Sequence, residues 1–112
     1  MIKVVWFLKK AKHLSMEEFR DWWINGHAPE VVDKQGAMLQ RYIINIRHEN
    51  DNFPGMPEAP FDWDGMAEEW FSSAEAAYAA FSLPSALEMR ADVLQHVDSI
   101  SRCIMNEHHI IE

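Results

Sequence analysis

The chain has 112 residues and carries 18 acidic against 10 basic side chains, which gives a formal net charge of −8. This length predicts one domain over residues 1–112 with a single hydrophobic core. Proteins that bind nucleic acids or anionic membranes need a basic face, so the acidic balance argues against both partners. Cys103 is the only cysteine, so no disulfide can form within the chain. We find neither a signal-peptide pattern nor an apolar run that could span a membrane, and we expect a cytoplasmic protein.

The first predicted elements are a strand and the start of a helix. Residues 2–9 are apolar and rich in β-branched and aromatic side chains, which is typical of a strand buried on both faces. Ser15 and Glu18 then form a capping-box motif, in which each side chain bonds to the other residue's backbone. This motif predicts that a helix begins at Met16.

The predicted first helix carries three residues on one face, spaced four apart: Phe19, Trp23 and His27. Pro29 follows in the same helical run, and proline cannot donate a backbone hydrogen bond to the preceding turn. We therefore expect a kink around residues 26–28 and a second helical segment that ends near Gly36. Such a kink leaves a backbone carbonyl beside the histidine that water or a ligand can satisfy.

Residues 39–47 predict the second strand, and a long segment rich in proline and acidic residues follows at 48–64. Long segments without regular structure in small domains are usually functional or mobile. Three aromatic side chains in this segment are unusual for a solvated loop: Phe53, Phe61 and Trp63. We expect the segment to be the most mobile part of the chain and to border a cavity as a lid.

The second half of the chain repeats the strand and helix pattern. Residues 65–71 predict a third strand, a second capping motif predicts a helix over 73–81, and Pro84 fits the first position of another helix that ends near Asp98. Residues 101–111 predict the last strand. The resulting order, βαββαβ, is that of a ferredoxin-like α+β sandwich with helices on one face of a four-stranded antiparallel sheet.

The other face of this predicted sheet also needs a cover. Strands one, two and four have apolar side chains on both faces, and the chain has no further element that could bury the second face. Large exposed apolar patches are rare on monomers. We therefore predict a homodimer in which two sheets pack face to face.

Several stretches of the sequence resemble the EthD family. The most specific are the His-Ala-Pro triplet at His27–Pro29 and the strand motif at Asp64–Phe71. The similarity also includes Leu14–Phe19, Asp92–Asp98 and the ending around Glu107–His108, so that it covers nearly the whole chain. The resemblance implies a dimeric α+β barrel, which agrees with the two-sheet dimer predicted above.

The resemblance implies several possible activities. The family is named for a component linked to ether degradation, and related fungal members are dehydratase-like tailoring enzymes for aromatic polyketides. Other dimeric α+β barrels are cofactor-free monooxygenases, lactone isomerases, cyclases or haem degraders. Fold alone does not choose among these activities.

Two histidines are the candidate catalytic residues. His27 lies on the predicted inner face of the first helix, and an imidazole can take a proton from a carbon acid and return it to a leaving hydroxyl. His96 lies on or beside an apolar helix stripe, at a position where the family more often has a large apolar or aromatic residue. The alternatives are a core histidine bonded to a backbone carbonyl and a surface-edge histidine, respectively.

Seven other residues are candidates for substrate binding: Trp6, Trp23, Tyr42, Asp64, Glu68, Trp70 and His108. Aromatic side chains stack on aromatic ligands, and a carboxylate beside a histidine can orient its ring. The family pattern favours Glu68 for a structural or pocket role; Glu69 lies on the opposite face of the third strand. The alternatives are an ordinary core for the aromatic residues, a solvated edge for the carboxylate, and a solvated or edge position for His108.

No metal-ligand spacing, glycine-rich phosphate loop or serine elbow is present in the sequence, and Cys103 has no activating signature. We expect no cofactor and no metal. One hypothesis is a lyase (dehydratase) or isomerase that acts on an aromatic or polyketide-like molecule; a cofactor-free monooxygenase remains open. The other hypothesis is a dimeric protein that binds a small molecule for a degradation pathway without turnover.

Overall fold

A computed structural model describes residues 1–112 and contains four strands, four α-helices and one π-helical turn. The elements in chain order are β1 (Ile2–Lys10), α1 (Met16–Asp21), the π-helical turn (Trp22–His27), α2 (Ala28–Gln35), β2 (Arg41–Ile46), β3 (Gly65–Phe71), α3 (Ala74–Phe81), α4 (Pro84–Leu94) and β4 (Val97–Asn106). None of the helices combines the length and the apolar character that crossing a bilayer requires.

The four strands form one antiparallel sheet in the order β2-β3-β1-β4. Together with the chain order, this is the predicted βαββαβ arrangement of a ferredoxin-like α+β fold. The helices pack against one face of the sheet, which we call the helix face. The core between the layers includes Leu8, Phe19 and Trp23, none of which is more than 3% exposed.

The capping box that predicted the first helix is formed. The backbone N–H of Glu18 donates to Ser15 Oγ over 3.1 Å, and that of Ser15 donates to Glu18 Oε1 over 2.9 Å. The expected kink is instead a π-helical turn, in which the N–H of Ala28 donates to the carbonyl of Trp23. Pro29 therefore falls in the first turn of α2, where its missing N–H costs little.

The strand register decides which side chains face the helices. Val4 pairs with Glu69, and Glu69 also pairs with Tyr42 on its other side, so these three lie in one row on the helix face. Side chains alternate along a strand. Glu68 and Trp70 therefore lie on the other side of the sheet, which we call the open face.

Segment 48–64 packs on the open face, and none of its residues borders the cavity described below. Phe61 and Trp63 contact Phe7, with ring centroids 4.9 and 5.9 Å away. Arg47 holds the segment through Asp51 and Glu58, at 2.6 and 2.8 Å. The expectation of a lid over the cavity is therefore wrong. Phe7 faces away from the helices, and Phe61 and Trp63 pack against it on the side of the sheet opposite the cavity.

The last helix and strand differ from their predicted bounds. α4 ends at Leu94, and β4 begins at Val97 rather than at residue 101 and ends at Asn106. β4 pairs with β1 along its whole length, from Lys10 with Val97 to Ile2 with Asn106. The partner strand thus sets where β4 begins and ends.

Candidate functional site

A cavity of about 690 Å³ lies between the sheet and the helices. Of the 23 residues that line it, 18 are hydrophobic. They come from β1, β2, β3 and β4 on one side and from the π-helical turn, α2, α3 and α4 on the other. A cavity of this size and composition suits a small apolar or aromatic molecule. Its few polar side chains are therefore the groups that can orient a ligand or react with it.

His27 lines the cavity from the end of the π-helical turn. Its side chain is 11% exposed, and its Nδ1 atom is buried without a hydrogen-bond partner. Burial lowers the pKa of His27, and the nearby Asp92 carboxylate opposes this effect only partly. The imidazole is therefore neutral at neutral pH, which is the form that accepts a proton. π-helical turns often occur at functional sites.

Asp92 lies beside His27 and is held by a tryptophan. Its Oδ2 atom is 3.8 Å from His27 Nδ1, which is longer than a hydrogen bond. The same oxygen accepts a hydrogen bond of 3.0 Å from the Trp22 indole. The Trp22 ring stacks against the His27 ring, with centroids 5.2 Å apart. This arrangement fixes both the ring and the carboxylate next to it.

His96 belongs to the same cluster but does not line the cavity. Its ring stacks on Trp22 with centroids 4.3 Å apart and planes 7° apart. Its Nδ1 atom lies 2.7 Å from the backbone carbonyl of Asp92. The structure thus places this predicted catalytic residue one layer away from the space where a ligand would bind.

Glu69 and Tyr42 line the sheet side of the cavity. Glu69 is only 5% exposed, although it carries a carboxyl group in largely apolar surroundings. Burial raises the pKa of Glu69 to about 7, and a contact with the Trp6 indole counteracts this only in part. Burial also raises the pKa of Tyr42, and the Glu69 charge adds to that effect. A carboxyl group that is half-protonated near neutral pH can donate or accept a proton.

Three further polar side chains border the cavity: Gln35, Arg90 and Arg102. Gln35 is buried and donates a hydrogen bond of 3.1 Å to the carbonyl of Ala80, which fixes its amide. The two arginines are exposed and mark the open end of the cavity. The structure brings together no three histidine, cysteine or acidic side chains that could hold a metal ion.

Four of the nine predicted site residues line the cavity: Trp6, Trp23, His27 and Tyr42. Five do not: Asp64, Glu68, Trp70, His96 and His108. Two of the five, Glu68 and Trp70, come from the open face, where strand alternation turns them away from the helices.

The residues on the open face have other partners. Glu68 accepts hydrogen bonds of 2.9 Å from both Lys3 and Asn45. Trp70 donates to Glu107 over 2.8 Å and lies under the Arg41 guanidinium, 4.8 Å from the ring centroid. Both side chains thus belong to a polar network on this face, and neither can orient His27.

Asp64 and His108 also lie outside the cavity. Asp64 accepts a hydrogen bond of 2.8 Å from the backbone N–H of Lys10 and joins the end of β1 to the segment before β3. His108 is exposed and follows the end of β4 at Asn106. It therefore lies outside the last strand, and the predicted extension of that strand to residue 111 is wrong.

The prediction missed Glu69, Gln35 and both arginines as cavity residues. Glu69 had a signal in the sequence, because it is the one acidic residue among the alternate positions Ala67, Glu69 and Phe71 of a strand. An acidic residue on an otherwise buried strand face indicates a functional group or an ion pair. Gln35, Arg90 and Arg102 had no comparable signal.

Residues 11–100 match the family model described as the EthD domain. A search of curated proteins finds no match. The protein At3g17210 from Arabidopsis thaliana has a similar structure, with a TM-score of 0.73, 17% identity and full coverage of both chains. An EthD family protein from Bacillus halodurans superposes with a TM-score of 0.71 and 16% identity, over 96% of this chain and 99% of that one.

A third similar structure is a protein from Bacteroides fragilis that is described as dimeric, of unknown function and with a ferredoxin-like fold. Its TM-score is 0.68 at 9% identity, with 95% of each chain covered. At these identities the similarity establishes the fold but not the reaction, which has to be argued from the residues of the site.

Proposed function

This chain belongs to the EthD family, and we propose that it is a cofactor-free enzyme, a lyase (dehydratase) or isomerase that acts on an aromatic or polyketide-like molecule through acid and base chemistry at His27. The observation that carries the proposal is a neutral imidazole inside an apolar cavity of about 690 Å³, with the Asp92 carboxylate 3.8 Å from its Nδ1 atom. Burial keeps the imidazole unprotonated, so it is ready to act as a base.

The proposed reaction begins with removal of a proton from a carbon next to a carbonyl group. The His27 imidazole takes the proton, and the electron pair of the C–H bond forms the carbon–carbon double bond of an enol or enolate. In an isomerisation, the protonated imidazole returns the proton to a different carbon. In a dehydration, a hydroxyl on the neighbouring carbon takes a proton from an acid of the site and leaves as water, and the electron pair of the enolate forms the new carbon–carbon double bond. Apolar walls exclude bulk water and strengthen the electrostatic interactions that stabilise the charged intermediate.

The contact with Asp92 favours catalysis over binding alone. A histidine that only fills a binding pocket needs no carboxylate beside it. The negative charge of Asp92 raises the pKa of His27 and stabilises the imidazolium that forms during proton transfer. The alternative is a protein that binds a small aromatic molecule in the same cavity without turnover. Nothing on the cavity wall favours a monooxygenase over these two functions.

We also propose that the protein is a homodimer joined through the open face of the sheet. On that face Met105 is 42% exposed, while Ile43 and Cys103 are half-buried. Phe61 and Trp63 cover only the part of the face around Phe7. The dimeric description of the Bacteroides fragilis protein supports this arrangement.

A deuterium-exchange assay tests the proposed activity. 1-Tetralone is a bicyclic aromatic ketone with acidic protons next to its carbonyl group, and NMR in D₂O measures their exchange. We expect the protein to accelerate this exchange over buffer alone, and we expect tetralin, the same skeleton without the ketone, to inhibit it by competing for the cavity. Exchange at the buffer rate, or exchange that an excess of tetralin leaves unchanged, would contradict the proposal.

A further inference from the structure

We propose that Glu69 is a second acid–base residue of the site, whose protonated carboxyl group donates a hydrogen bond to the carbonyl or hydroxyl oxygen of a neutral, apolar ligand in the cavity. The inference rests on the proposed function for the reaction itself. It adds the group that recognises the ligand's oxygen and the chemical class that the cavity takes, an uncharged aromatic or bicyclic carbonyl compound.

The position of Glu69 carries this proposal. The residue lies on β3, in the same row of the sheet as Tyr42 and Val4, and is 5% exposed. It lines the same cavity as His27, which lies on the helix side. Arginine is the usual partner of a buried carboxylate, but neither Arg90 nor Arg102 forms a salt bridge with Glu69. An unpaired buried carboxylate is costly, so this carboxyl group is stable in the protonated form.

The other titratable groups of the cavity leave the role of proton donor to Glu69. They are His27 on the π-helical turn, Tyr42 on β2, Tyr78 on α3, Arg90 on α4 and Arg102 on β4. Burial raises the pKa of Tyr42, so the phenol is a weaker acid than Glu69, and burial lowers the pKa of His27, which favours the neutral imidazole as a proton acceptor. Tyr78 and the two arginines are exposed, whereas Glu69 is buried against the cavity.

The opposite shifts of His27 and Glu69 suit a division of roles. Two titratable groups whose surroundings push their pKa values apart are typical of acid–base pairs. In the proposed step His27 takes the proton from carbon while the Glu69 carboxyl donates to the oxygen. For enolisation, one proton leaves carbon for the imidazole and one moves from Glu69 to the carbonyl oxygen. For dehydration, the proton from Glu69 leaves with the hydroxyl as water. In an isomerisation, the enol O–H returns its proton to Glu69 while His27 gives its proton to the other carbon. In a dehydration, proton transfer from His27 through solvent restores Glu69.

A binding measurement tests Glu69 without requiring turnover. The affinity for 1-tetralone is measured by calorimetry at about pH 6 and about pH 9, on either side of the Glu69 pKa of about 7. We expect 1-tetralone to bind about tenfold more tightly at the lower pH, the change that corresponds to loss of one hydrogen bond to a buried group. Tetralin, which has no oxygen, should not bind more tightly at the lower pH.

Two variants test whether Glu69 causes the pH dependence of 1-tetralone binding. Glu69→Gln keeps the shape and a hydrogen-bond donor but does not titrate, so 1-tetralone should bind it equally at both pH values. His27→Gln should keep the tenfold dependence, because the group proposed to donate to the ligand's oxygen, Glu69, is still present. The proposal is wrong if wild type binds 1-tetralone equally at both pH values or not at all, or if Glu69→Gln retains the dependence. Binding of 1-tetralone tests the role of Glu69, and deuterium exchange tests the proposed activity. The two measurements are separate, so one proposal can be refuted while the other stands.

Discussion

The Oδ2 atom of Asp92 lies 3.8 Å from Nδ1 of His27 and at the same time accepts a hydrogen bond of 3.0 Å from the Trp22 indole. The carboxylate is thus held near the imidazole without being bonded to it. In this position it can stabilise the imidazolium that forms when His27 accepts a proton. The Nδ1 atom is buried and has no hydrogen-bond partner, so no hydrogen bond from another group competes with Asp92 for it.

Asp92→Asn tests this relationship. The amide keeps the shape and the bond from Trp22 but removes the charge, so we expect the pKa of His27 to fall further. We also expect the exchange rate of 1-tetralone to fall about tenfold, which corresponds to about 1.4 kcal/mol of barrier. The pKa is measured by NMR of the imidazole resonances. An unchanged pKa with an unchanged exchange rate would show that Asp92 acts only on the packing of Trp22.

Glu69 makes the stability of the fold depend on pH. Its pKa rises to about 7 in the folded protein from an ordinary value of 4.5, so between these values the unfolded chain loses a proton that the folded chain keeps. The free energy of unfolding therefore falls as pH rises through this range, by an amount on the order of 3 kcal/mol from this residue.

Urea denaturation at several pH values measures this fall, and Glu69→Gln should abolish most of it. The variant should also be more stable than wild type above about pH 7, since it buries no charge at that pH. Identical pH profiles for the two proteins would show that water reaches the carboxylate in the folded state.

Arg47 should control the order of segment 48–64. Its guanidinium contacts Asp51, Glu58 and the Trp63 ring, whose centroid is 5.2 Å away. We expect Arg47→Met to speed backbone hydrogen exchange in this segment while the exchange of 1-tetralone stays unchanged, because the segment lies on the open face. Lys34→Met, on α2, is a control that removes an exposed cation elsewhere. A loss of 1-tetralone exchange in Arg47→Met alone would indicate that the segment reaches the cavity.

The sequence predicts the order of the elements but not the face to which each side chain belongs. The Ser15 and Glu18 motif is sufficient to locate the start of α1, because its interactions are local. Assigning Glu68 rather than Glu69 to the cavity is a difference of one position, and only the pairing of β3 with β1 and β2 resolves it. A change of one residue in a strand exchanges its two faces.

The predicted kink at Pro29 and the predicted lid also differ from the structure, because both depend on contacts between distant parts of the chain. Proline in a helical run predicts an interruption but does not specify a π-helical turn, which depends on packing around Trp22 and Trp23. The aromatic residues of segment 48–64 predict burial against something apolar, and the contact with Phe7 fulfils that need on the side away from the helices. Long-range contacts, which the local pattern does not encode, decided both outcomes.

The apolar side chains on the open face of the sheet predict that the protein is a dimer. Light scattering at micromolar concentration should give about twice the chain mass of 13.1 kDa. Ile43→Arg places a charge on the half-buried part of this face and should shift the mass toward a monomer. Tyr78→Arg, on the highly exposed side chain of α3, is the matched control and should leave the dimer intact. A wild-type mass near 13.1 kDa would refute the dimer.

The most direct test of the central claim is the rate of deuterium exchange of 1-tetralone by His27→Gln, compared with wild type and with His13→Gln. His13 is exposed and does not line the cavity, so its variant controls for the loss of one imidazole. A catalytic base contributes about 10²- to 10⁴-fold to a rate. We predict that His27→Gln folds, binds 1-tetralone and loses at least about 100-fold in catalysed exchange, while His13→Gln retains the wild-type rate. A His27→Gln variant that binds 1-tetralone and exchanges it within a few-fold of wild type would contradict the account.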